Sequence, residues 1–551
     1  MSRAADGPTP VTDPRWTLER LNAPSRLWGA NGITFGPDGR LYVAQYLGGM
    51  ISALDPHNGD VEPVVPPGGL VQSPDDLAFG ADGSLYIADL VPGRVWRRQP
   101  AGRFDLVSDE VPVVNGITCV GDRLFVNEMR PGGRLLELFP DGGDPSVLTG
   151  GLALGNAMQR GPDGLLYYPH MVTGEVWRIA LDGGAPELVA TGLPQPVAVR
   201  FDLAGVLHVL SCGPRGLVTR LDLYGSGDRT VLDSGVPGLD NAAFDAENRM
   251  FVSGFADGGV LELHPDGRTR EIVPPGLDGP WGITVDLGGR TYLADHYRLA
   301  GPPEDDAATS GPVTHTRLHF SHGVDAGADG LLHVTSQYGQ VSTYDPDDDS
   351  VRVRARGLDR PAGVAARADG ALVVAESGTG RVLVLRPEPP ERSAGPDPAV
   401  LAAGLGRPAD VVCEGPDRVW VTDEERGTLL LVTTAGEPPR VVADGLAAPQ
   451  GLTVLDAEVF VVETGTARLL AIDPRTGDRR TVAENLPVGP GPAGARTPAL
   501  TTHGMPGIPR PFAGLAATPD GALLLSAHRE GTVLCLSRHG TTLPDDGTPC
   551  P

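Results

Sequence analysis

Asparagine and aspartate recur along the first half of this chain at one fixed place, the residue that opens a short apolar run. They are Asn31, Asp75, Asn115, Asn156 and Asp240, with Val197 as the exception. Their side-chain oxygens are hard donors, suited to Ca²⁺, Mg²⁺ or a catalytic zinc-like ion if the fold turns them toward one point. The plain alternative is that they cap loops, as Asn and Asp do in Gly-rich turns generally. In the second half the same place holds Trp281, His322, Ala362, Ala409, Gln450 and Ala513, so His322 is the base of that set. Thirteen or fourteen residues further on, where a second strand ends, come Gln45, Asp89, Glu128, His170, Ser211 and Gly254. The second half has Asp295, Ser336, Glu376, Asp423, Glu463 and Ala527 there, with His296 and His528 one step beyond. Clustered carboxylates raise one another's pKa and histidine titrates near neutrality. Asp295, Glu463 and His322 are therefore candidates for proton abstraction, and His170 for the base of a hydrolysis. Acidic strand ends are equally an ordinary solvated surface.

These residues must be positioned by a repeat. Asn31 to Gln45 reads as an inner strand, a Pro-Asp-Gly turn and a returning strand, and the position of Asn31 occurs twelve times at steps of 40 to 47 residues, with one step of 63. That is the period of a four-stranded propeller blade, and two further alternating runs in each copy supply the outer strands. Rings usually hold about 4–8 blades. The expected fold is all-β, two six-bladed β-propellers in tandem with twelve four-stranded blades. The two ends of each inner hairpin then share one rim of a tunnel.

The last copy lacks an outer strand, while Trp16–Leu21 and Thr269–Val273 are spare. If each ring is closed by its own first strand, an N-terminal tail covers 1–13, ring one 14–266, ring two 267–541 and a C-terminal tail 542–551. Two stretches break the pattern, Tyr297–Ser310 and Pro487–Pro498. Both would lie over the mouth of ring two, the first as an outer strand turned into a loop.

Composition excludes much. All 44 basic residues are arginine, so a Schiff-base lysine and a phosphate-loop lysine are ruled out. A net charge of −26 argues against nucleic acid and anionic membranes as partners, which leaves a small-molecule substrate, and it says nothing of oligomeric state. Five scattered cysteines (Cys119, Cys212, Cys413, Cys535, Cys550) without a CxxC pair point away from disulfides and cysteine-held zinc. With no apolar leader after Met1, the expected location is the reducing cytoplasm. Serine-hydrolase elbow, HExxH, Walker and dinucleotide-binding motifs are absent.

Two stretches, Asn156–Tyr168 and Asp240–Val252, carry a family likeness. Ring one resembles the gluconolactonase and regucalcin-like lactonases, six-bladed propellers with a divalent metal at the tunnel mouth. The resemblance implies Asn156, Asp240 and Asn115 as metal ligands, with Asp75 or Asn31 completing the shell. The family's opening glutamate motif is missing here, and Val197 stands where an acid is expected. In ring two, Ser321–Val324 with Val373–Glu376 and Val461–Glu463 resembles the repeat of virginiamycin B lyase, a propeller that opens a cyclic ester by elimination. The expected function is metal-dependent opening of a lactone or cyclic ester. The alternatives are a lyase or cyclase of specialised metabolism using His322, and a binding propeller without catalysis.

Overall fold

The computed structural model describes residues 8–303, 311–387, 398–489 and 500–539. Cys550, the tail 542–551, residues 304–310 and most of Pro487–Pro498 lie outside them. Among the described residues there is no helix; there are eleven four-stranded sheets, one five-stranded sheet and a two-stranded hairpin. The chain forms two six-bladed propellers. One unit takes Arg26–Gly276 together with Gly491–Pro509, and the other takes Ser2–Ser25, Leu277–Pro490 and Arg510–Pro551.

Each blade starts from the inner hairpin that the repeat encodes. In the first, Ile33–Phe35 pairs with Leu41–Gln45, and Gly39 turns the chain at φ 78°, a left-handed conformation that favours glycine. Asp38 fixes that turn by accepting the Arg40 amide. Seven of the twelve second strands are buried along their whole length, as in Leu85–Asp89, because neighbouring blades cover both faces. The outer strands, such as Arg229–Asp233, are largely exposed.

Ring one closes between its sixth blade (Leu239–Phe244, Met250–Gly254, Val260–Leu263, Thr269–Val273) and its first. Ile33, Val43, Phe251 and Val273 share one core cluster there, and Ser253 Oγ donates to the Asn31 carbonyl at 2.5 Å. Thr269–Val273 is thus the outer strand of ring one. Ring two borrows the other spare strand: Trp16–Arg20 pairs antiparallel with Thr532–Arg538, from Trp16 opposite Arg538 to Arg20 opposite Leu534. The expected closure, each ring by its own first strand, is corrected on both counts. The physical reason is an open sheet edge, since Thr532–Arg538 has no outer neighbour until the N-terminal strand covers it. Val11–Thr12 extends the preceding blade as a fifth strand.

The irregular stretches also differ from expectation. Arg298–Gly301 and Val313–Thr316 pair, so that blade keeps four strands. Beyond the insertion, Thr501–Thr502 and Met505–Pro506 form a hairpin belonging to the ring-one unit. There Met505 and Ile508 pack on Tyr46, Leu90, Val91 and Val113. The next residues, Arg510–Phe512, cover ring two, and Gly489 at the start of the stretch lies 2.9 Å from His528 Nε2 through its carbonyl.

Candidate functional site

The residues ending the second strands do one repeated job. Six of the twelve accept a hydrogen bond from a backbone amide 16 or 17 residues upstream, where the chain enters the same blade. Gln45 Oε1 holds Trp28 N–H at 2.7 Å, Asp89 Oδ1 holds Ser73 N–H at 2.7 Å and Glu376 Oε1 holds Asp359 N–H at 2.9 Å. Asp423 holds the amides of Gly406 and Arg407 at 2.7 and 2.9 Å. Asp295 takes the Gly279 amide at 2.7 Å and the Arg298 guanidinium at 2.8 Å. Glu463 takes the Ala447 amide and the Thr466 hydroxyl, both at 2.8 Å. This corrects the expectation for Asp295 and Glu463, which latch loops rather than stand free on the rim. Glu463→Ala should therefore cost about 1–3 kcal/mol in denaturant unfolding, the price of an orphaned amide, and leave any catalytic rate unchanged.

The opening positions of ring one do converge. Asn115 Nδ2 donates to Asp75 Oδ1 at 3.0 Å, and Asn115 Oδ1 is buried with no donor. Asp75 and Asp240 are both buried. Burial, then the charges of Asp240 and Asp76, push the Asp75 carboxyl well above its usual range. Burial and Asp76 raise Asp240 to about 7, with Arg200 working against them. Asn156 sits further round: its Oδ1 accepts the Ala157 amide at 2.7 Å, and its Nδ2 faces the sulfur of Met129 at 3.7 Å, the same sulfur that Asn115 contacts at 3.1 Å. His170 bridges Gly155, the residue before Asn156. Burial holds His170 below its ordinary pKa, opposed by Glu175 at 3.8 Å, and its Nε2 is buried without a partner. Its neutral form is thereby favoured.

Below this rim lies a network that the opening positions alone did not reveal. Asp76 accepts the amides of Leu77 and Ile117 at 3.0 and 3.2 Å and the Asn241 side-chain amide at 2.9 Å. Arg200, buried, donates to Asn241 Oδ1 at 2.6 Å and to the carbonyls of Ala242, Met158 and Val199, with Asp76 3.8 Å away. A signal for it existed one residue past each opening position. Nine of twelve copies carry Gly or Ala there, and Asp76, Asn241 and Asp410 are the exceptions. The small residues are required by close approach: a Cβ on Gly32 would fall 2.4 Å from the Asp75 carbonyl, and one on Gly451 2.2 Å from that of Ala513.

In ring two, His322 is buried under Arg510–Phe512. Its Nε2 lies 3.0 Å from the Arg510 carbonyl and 2.8 Å from Gln337 Nε2, while Arg510 N–H donates to Gln337 Oε1 at 2.8 Å. Arg510 also pairs with Glu424 at 2.6 Å, and Phe512 stacks 5.5 Å from the histidine ring. The space left beside His322 is about 20 Å³. Burial lowers His322 to about 4, and burial with the neighbouring His322 and His319 lowers His296 to about 3; both ring nitrogens of His296 are unpartnered. Trp281 separates the two rings at 5.1 and 5.3 Å. The structure therefore gathers Asp75, Asn115 and Asp240, sets Asn156 and His170 on the same rim, and puts His322 under a plug.

No protein-family model and no curated protein matches the sequence. Solved structures do: a streptogramin B lyase, 16% identical, covers 58% of this chain and 94% of its own at a TM-score of 0.38. A gluconolactonase from Xanthomonas campestris, also 16% identical, covers 45% of this chain and 93% of its own at 0.36. The extracellular domain of a two-component system protein from B. thetaiotaomicron, 10% identical, covers 96% and 84% at 0.32. In fold, this chain is a β-propeller protein similar to gluconolactonase and streptogramin B lyase structures.

Proposed function

We propose that the protein is a hydrolase that opens a lactone or another cyclic ester of a small organic substrate at the mouth of ring one. The observation that carries this reading is the pairing of two buried carboxyls, Asp75 and Asp240, beside an amide oxygen, Asn115 Oδ1, that lacks a donor. Buried oxygens that repel one another and remain unsatisfied are matched by a cation. Among the described residues no three His, Cys, Asp or Glu side chains gather to hold a metal, so the set is two carboxylates with the Asn115 and Asn156 amide oxygens. These all-oxygen donors fit Ca²⁺ or Mg²⁺ better than zinc. When bound, such an ion polarises a substrate carbonyl. His170, neutral and with Nε2 unpartnered, is the group that takes the proton of the attacking water.

A ring-two lyase using His322 has one observation in its favour, two buried neutral histidines around Trp281. It requires Arg510–Phe512 to leave the mouth. Purified protein assayed on a lactone panel with and without Ca²⁺ or Mg²⁺ tests the first reading. Asp240→Ala should abolish turnover and divalent-ion binding while His322→Ala keeps both. Turnover lost only in His322→Ala would transfer the site to ring two.

A further inference from the structure

The tunnel of ring two holds a cavity of about 240 Å³ that continues into a chamber of about 350 Å³ toward the turn end, away from Phe512. Two aspartates, Asp325 and Asp410, line it. Asp410 accepts the amides of Val411 and Leu452 at 2.9 and 3.1 Å, and Asp325 accepts the Ala366 amide at 2.8 Å and the Thr284 hydroxyl at 3.4 Å. Neither meets a cation among the described residues. Arg367, in the outer chamber, is paired with Asp369 at 3.1 Å.

Ring one shows what such a carboxylate is built to face. Asp76 occupies the same repeat position as Asp410, and its two oxygens clamp the same two amides: that of its own next residue and that of the following blade. Across the ring, three blades on, Arg200 reaches the tunnel centre and brings a guanidinium to Asp76. The matching position of ring two, three blades on from Asp410, is Thr284, whose short side chain leaves the space open. Burial raises Asp410 to about 8 and Asp325 to about 6, the behaviour of carboxyls waiting for a positive partner.

We propose that this tunnel is a binding site for a small organic cation with N–H donors, a guanidinium or primary ammonium group, seated between Asp410 and Asp325 and entering from the turn end. The chain supplies that cation from its own Arg200 in ring one, and takes it from solution in ring two. Charge-assisted hydrogen bonds to two carboxylates give the specificity.

Calorimetric titration of the full chain at pH 8 with methylguanidinium, and with tetramethylammonium as a cation lacking N–H donors, tests this. Methylguanidinium should bind with release of protons, and at least tenfold more weakly to Asp410→Asn and Asp325→Asn; tetramethylammonium should not bind. Thr284→Arg should rebuild the ring-one arrangement, abolish binding and raise the thermal midpoint, a result that misfolding cannot imitate. Equal binding by Asp410→Asn, no heat with methylguanidinium, binding retained in Thr284→Arg, or a site taken by Ca²⁺ but not by methylguanidinium would overturn the proposal.

Discussion

Asp240→Asn is expected to lower cyclic-ester opening by about two orders of magnitude or more, the scale of losing a positioned acid, base or ion-holding group, and to stabilise ring one at the same time. The second half follows from titration in the metal-free protein. The Asp240 carboxyl titrates near 7 in the fold, against 3.8 when free, because burial and Asp76 disfavour its charge. A raised folded pKa means that the fold prefers the neutral form. Its contribution is whole below about pH 4 and is lost as pH rises through 7. Three pKa units correspond to at most about 4 kcal/mol. Asparagine cannot ionise, so the variant should gain on wild type between pH 4 and 8 by up to that amount. Denaturant unfolding after chelation, at pH 5 and pH 8, measures it. A saturating divalent ion should then restore wild type at pH 8 and do nothing for the variant. Parallel pH profiles for the two proteins would remove both the repulsion and the site built on it.

The reading from sequence succeeded where one residue type must recur for one backbone reason. The Pro-Asp-Gly turns need a left-handed residue at Gly39 and its equivalents, so the blade period was visible and with it the two rings. Chain closure was not, because Trp16–Arg20 is as good an outer strand for one open edge as for another; what decides is which blade lacks a fourth strand. What each rim residue meets was not legible for a similar reason. Asp295 and Asp240 are both acids at strand ends, yet one meets a backbone amide and an arginine while the other meets another acid. That difference depends on partners about 16 residues or several blades away, which spacing within a copy does not encode. Arg510 lies in the long step between the last two copies, and no repeat predicts that its carbonyl reaches His322.

Arg200→Met should destabilise ring one by about 3–5 kcal/mol, the largest loss of stability expected from a single change here. Removing one partner of a buried charge pair leaves the other without compensation. Arg200 is also the donor for three backbone carbonyls and Asn241, so its loss strips several buried acceptors at once. Asp76 would be the residue in distress: its carboxyl, already raised by burial, is held down first by Arg200. The double change Arg200→Met with Asp76→Asn should recover a large part of the loss, since no charge then remains to be matched. Denaturant unfolding of the four proteins of this cycle gives the coupling directly. Additive losses would mean that the arginine acts only through the carbonyls. Recovery in the double variant would show that Asp76, deprived of Arg200, is an acid that its tunnel tolerates only when it is neutral or facing a cation.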